Sequence, residues 1–155
     1  MSDETQDFYD SAEVKEVAGT IMAMIKHVDL DIKTARVRYL FSTKKSKENS
    51  DIDDKIKISL INGVNRYLID ADYVVVVSKE QWDILTPTQK EALTYYILLH
   101  GILRQSKKGE MKWSKSKDKL SILAETVKEY GEWYVGLIKI RKAFIDHDTI
   151  LGSLA

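Results

Sequence analysis

The 155-residue sequence contains no cysteine, a single proline and three histidines. Without cysteine there are no disulfides, no thiolate zinc sites, no iron–sulfur clusters and no thiol nucleophiles. Three histidines leave little room for imidazole metal chemistry. No Gly-rich phosphate loop occurs. The longest apolar stretches, near Tyr73–Val77 and Tyr95–Leu99, fall far short of the roughly 18–20 residues of a membrane span. The opening Met1-Ser2-Asp3-Glu4-Thr5-Gln6-Asp7 is acidic and polar, opposite in character to a signal peptide. Nor is either charge in excess, with 24 basic and 24 acidic residues. These absences lead to the expectation of a cytoplasmic chain with no cofactor, no bound metal and no membrane contact. Its length suits one domain that buries roughly 70% of its unfolded surface.

What is present is organised by periodicity. Asp10 reads as an N-cap with Glu13 three residues on. Val14, Val17, Ala18, Ile21, Met22 and Ile25 follow at helical spacing, predicting a helix that ends near His27. Residues 35–41 alternate, with Val37, Tyr39 and Phe41 on one face, which predicts a half-buried strand. Residues 44–55 read as an exposed loop. Ile56, Ile58 and Leu60 predict a second strand, closed by Asn62-Gly63. Tyr73-Val74-Val75-Val76-Val77 predicts a third, covered on both faces.

Residues 78–85 predict a short helix with Trp82 turned inward. Thr86-Pro87-Thr88-Gln89 is the strongest boundary signal: an N-cap Thr, Pro at the first helical position and a capping-box Gln. The helix it opens is expected to reach about Gln105. It is apolar nearly all round, hence central and buried. A further helix is expected from about 116–118, with Leu120, Leu123, Ala124 and Val127 as its stripe and Gly131 as its break. Trp133 to Phe144 predicts a last amphipathic helix. The fold class expected is α+β: about three to four strands, mostly antiparallel or mixed, packed with helices and followed by a C-terminal helix. Residues 1–9 are expected to be flexible, 10–133 to form the domain, and 134–155 to be a helical extension packed on it.

Neutral net charge conceals two opposed segments. Residues 1–16 carry a net −5, and residues 104–119 a net +5. The second segment includes Arg104, Lys107, Lys108, Lys112, Lys115, Lys117 and Lys119. A solvated loop is the ordinary explanation. The alternative is a binding surface, formed by Arg104, Lys107, Lys108, Lys112 and Lys115 together with the nearby Trp133 and Tyr134.

The first helix, the strand Ala35-Arg36-Val37-Arg38-Tyr39-Leu40-Phe41, the segment Asp72-Tyr73-Val74-Val75-Val76-Val77-Ser78-Lys79-Glu80-Gln81-Trp82 and Leu85-Thr86-Pro87-Thr88-Gln89-Lys90-Glu91-Ala92-Leu93 together resemble the putative phage metallopeptidases. That family is zincin-like and distantly similar to SprT-type proteases, and the resemblance covers roughly residues 10 to 133. It implies a zincin-like core. It also implies a His-Glu-x-x-His motif on the helix that follows Leu93. Two His at i and i+4 share a helical face and grip one zinc, and the Glu activates the metal-bound water.

This sequence has Tyr96-Ile97-Leu98-Leu99-His100 in those five positions. His100 matches the second ligand. Tyr96 replaces the first ligand and Ile97 the general base. The third ligand of the family corresponds to Lys117 in Lys115-Ser116-Lys117-Asp118. Isoleucine cannot accept a proton, and one imidazole holds zinc too weakly to compete with water and buffer. The degenerate positions are therefore Tyr96, Ile97, His100 and Lys117, with no catalytic residue and no metal ligand set.

The expectation that follows is a non-enzymatic phage accessory protein that binds a host or phage macromolecule, most directly a protein. Inhibition of a bacterial defence system, in the manner of anti-CRISPR proteins, is one concrete form. The C-terminal helix is a candidate surface for self-association. Two alternatives belong to other classes: a nucleic-acid binder using the basic 104–119 segment, and a metal-dependent hydrolase with rearranged ligands.

Overall fold

A computed structural model describes residues 7–27, 29–44, 52 and 55–134. Strand β1 (Phe8–Asp10) leads into helix α1 (Ala12–Met22), and two 3-10 turns follow at Ile25–His27 and Asp31–Thr34. Next come β2 (Val37–Ser42), β3 (Ile56–Leu60), α2 (Gly63–Ile69), β4 (Tyr73–Ser78) and α3 (Lys79–Asp83). The chain continues through α4 (Pro87–Leu98), β5 (Gly101–Gln105), β6 (Met111–Lys115) and α5 (Lys119–Tyr130). The fold is α+β, as the alternation and helical spacings require.

Four strands form one mixed sheet in the order β1-β2-β4-β3. β2 and β4 run parallel, with Val37 opposite Tyr73 and Ser42 opposite Ser78. β1 and β3 pair antiparallel to them on the two edges. A separate antiparallel hairpin joins β5 and β6. The inward sheet face presents Tyr39, Phe41, Ile56, Ile58, Tyr73, Val75 and Val77, all buried. α1 packs against both β2 and α4, and α4 packs against α5.

Several boundaries differ from the periodicity. Phe8–Asp10, expected partly in a frayed terminus, hydrogen-bonds as an edge strand to residues 40–42. The N-cap of α1 is Ser11, whose side chain accepts from the Val14 N–H at 3.1 Å, while Asp10 lies in the strand. α1 stops at Met22 rather than near His27, because the chain tightens into 3-10 geometry. Asn62-Gly63 opens α2 instead of merely closing β3, with Gly63 at φ +59°. β4 is covered less evenly than expected, since Val74 and Val76 are only half-buried. The buried side of α5 is Ile122, Leu123 and Thr126, whereas Leu120 is exposed. Most of the 44–55 segment, and the expected helix beyond Tyr134, lie outside the described residues.

α2 is held by charge rather than by packing, for it buries none of its side chains. The carboxylate of Asp72, only 3% exposed, accepts from Arg66 Nε at 2.7 Å and from the Arg36 backbone N–H at 2.8 Å. Arg36 also bridges Asp70. Burial opposes ionisation of Asp72, but the Arg36 N–H and the two guanidinium groups outweigh it. Its pKa therefore lies below the ordinary 3.8.

Candidate functional site

α4 delivers the site. Thr86 caps it, with its side chain accepting from the Gln89 N–H at 3.2 Å and Gln89 Oε1 accepting from the Thr86 N–H at 2.9 Å. Ala92 to Leu98 is buried without interruption, so the helix is the centre of the core. It was expected to continue to Gln105 and instead ends at Leu98. Gly101 follows closely and opens β5. A Cβ there would lie 2.7 Å from Ile32 Cδ1, so only glycine lets the backbone pass Ile32 and turn into β5.

That turn sets the geometry of the four positions that the resemblance aligns with the family's metal site. Tyr96 and Ile97 are both 0% exposed. The Tyr96 ring meets His100 edge-on at 4.7 Å and lies 6.5 Å from Trp133. His100 is half-buried, and its Nδ1 lies 2.8 Å from the Tyr96 carbonyl. A carbonyl only accepts, so Nδ1 carries the proton. The Ser116 N–H donates to the His100 carbonyl at 2.8 Å, and Gly101 stands opposite Lys115 in the hairpin. The exposed Lys117 is therefore brought next to the end of α4, with 16 residues separating it from His100 in sequence.

These residues do not fit a zinc ion. His100 is one nitrogen donor. Tyr96 has its ring packed among His100 and Trp133, Ile97 has no donor atom, and Lys117 is a cation. Among the described residues no group of three His, Cys, Asp or Glu is placed to hold a metal. Nearby groups are engaged elsewhere. Asp118 caps α5, its Oδ1 accepting from the Ser121 N–H at 3.1 Å. His27 is buried against Tyr95, ring centroids 4.4 Å apart. His147 lies outside the described residues.

The basic segment separates into two parts. Its Arg104–Lys115 portion is not a loop but the β5–β6 hairpin, with Gly109 at φ +84° in the turn. The base of the hairpin is pinned to the domain. Tyr73 Oη donates to the Ser114 carbonyl at 2.7 Å, Leu103 N–H to Asp31 Oδ2 at 2.9 Å, and Lys115 Nζ to the Ile58 carbonyl at 2.6 Å. Trp113 is half-buried, edge-on to Tyr73. Lys115 is thus an anchor as well as a surface charge.

The distal part, with Arg104, Lys107, Lys108 and Lys112, is exposed. Trp133, expected on the same surface, is instead 5% exposed. Gly131 ends α5 at φ +68° and folds the chain back, so that Trp133 Nε1 donates to Thr126 Oγ1 at 3.0 Å. Tyr134 is half-buried, with Lys55 Nζ 4.7 Å above its ring. The sequence reading missed the hairpin. Gly101 after the apolar run and Lys108-Gly109 in the turn were the available signals.

One buried capped helix ends in a histidine-bearing turn beside an anchored hairpin, all packed on a mixed sheet. This arrangement defines an α+β protein. The family model for putative phage metallopeptidases matches residues 6–143, and the chain belongs to that family. Comparison with curated proteins and with solved structures finds no match. Among the described residues no helix is long and apolar enough to cross a membrane.

Proposed function

We propose that this family member has given up metal catalysis and acts by binding a macromolecule of the phage or its host. One observation carries the reading. Tyr96 and Ile97, in the positions of the first ligand and the general base, are 0% exposed and serve as core. A water-activating metal needs donors and an open coordination position. An apolar side chain and a ring packed on its neighbours supply neither. The scaffold is retained while its chemistry is replaced, which leaves the surface to do the work. Blocking a host defence complex is one use that such binding would serve.

The test is to restore the motif. Tyr96→His with Ile97→Glu places a carboxylate in a closed core, at a cost of several kcal/mol, roughly. In chelator-containing buffer the double variant should melt far below the wild type. A wild-type melting temperature would mean that these positions open to solvent, and the reading would fail.

A further inference from the structure

The distal β5–β6 hairpin breaks a rule of sheet pairing. Arg104 stands directly opposite Lys112 in the antiparallel register, and like charges across a strand pair destabilise it. Lys107 and Lys108 add two more cations at the turn, and Glu110 is the only acid from 104 to 112. Among the described residues none of these four cations forms an ion pair. Repulsion across the Arg104–Lys112 pair weakens the hairpin. Uncompensated local conflict of this kind is expected where a surface serves a ligand. The charges are also presented stiffly, since the hairpin base is pinned by Tyr73, Asp31 and the Lys115–Ile58 contact.

We propose that this hairpin is a docking element for duplex nucleic acid, with Arg104, Lys107, Lys108 and Lys112 on the phosphates. A two-stranded ribbon fits a major groove about 12 Å wide. Cations on both strands and on the turn can then reach phosphates on either side of that groove. The contacts carry no base-reading geometry, so binding is sequence-tolerant and electrostatic. This assignment names the partner class for the binding scaffold proposed above and rests on that reading for its biological use.

The experiment is fluorescence anisotropy of the full chain with a labelled DNA duplex across a salt series. Four phosphate contacts give a slope of log affinity against log salt of about −3.6, or about a hundredfold loss between about 50 and about 200 mM. Lys107→Gln, Lys108→Gln and Lys112→Gln together should bring the slope to about −0.9. The matched triple Lys15→Gln, Lys44→Gln and Lys128→Gln removes the same charge from exposed positions on other elements and should leave the slope in place. Should the hairpin triple fail to fold, Arg104→Gln alone should reduce the slope by about one. Absence of binding by the wild type at about 50 mM salt, or equal losses in the two triples, overturns the proposal. Zinc content measured on the same preparation keeps the two readings apart: stoichiometric zinc would remove the metal-free reading and leave the anisotropy result untouched.

Discussion

Gly101 shows how much a single missing methyl group decides. Gly101→Ala would drive a Cβ to 2.7 Å from Ile32 Cδ1, in a core that tolerates overpacking poorly. The expected loss is about 1–3 kcal/mol by chemical denaturation. Ile32→Val in the same chain should recover part of it, because the Cδ1 is gone. His27 gives a pH dependence. Burial lowers its pKa below 6.5, Glu129 and Glu91 oppose that shift, and Lys26 adds to it. Its Nε2 is buried with no hydrogen-bond partner among the described residues. The folded chain therefore holds the ring neutral at pH values where the unfolded chain protonates it. Stability present above pH 6.5 is lost as the pH falls through that value towards the folded pKa. A denaturation midpoint that drops between about pH 7 and about pH 5, and drops less in His27→Phe, is the expected result. At this scale the i, i+4 relation of Tyr96 and His100 was legible. The fate of Trp133 was not, because it depends on Gly131 reversing the chain onto Thr126.

Elements were legible where local chemistry agreed with the fold. The start of α4 is the clearest case, and Thr86→Ala should cost about 1 kcal/mol through loss of the cap. The end of the same helix was misread because Ile102 and Leu103 continue its apolar run, and the steric contact with Ile32 appears only in three dimensions. α2 was missed for a related reason: Asn62-Gly63 resembles a turn, and the helix depends on Asp72, which lies beyond its last residue. Asp72→Ala removes the acceptor for Arg66 and for the Arg36 N–H. It should lower stability by about 1–3 kcal/mol and speed amide exchange in α2. The hairpin gives the opposite sign. Lys112→Glu turns the repulsive pair with Arg104 into an attractive one, worth about 0.2–1 kcal/mol. The melting temperature should rise while affinity for duplex DNA falls, a combination that a purely structural role for Lys112 does not produce.

The whole molecule is an α+β member of the putative phage metallopeptidase family. The family model spans residues 6–143, and the fold still brings the Lys117 segment to the end of α4 through the Ser116–His100 backbone contact. The His100 turn and the Lys117 segment meet through that backbone contact, and the four positions aligned by the resemblance carry a phenol, a sec-butyl chain, one imidazole and an ammonium group. Sequence spacing alone raised the expectation of a lost metal site. Only the packing distinguishes a filled core from an open pocket, because it depends on Trp133 and on the neighbours of Tyr96. The most direct measurement is the zinc content of protein purified without chelator and dialysed against zinc-free buffer, for the wild type and for His100→Ala. The account predicts well under one zinc per chain in both, with no difference between them. One zinc per chain in the wild type, lost in His100→Ala, would contradict it.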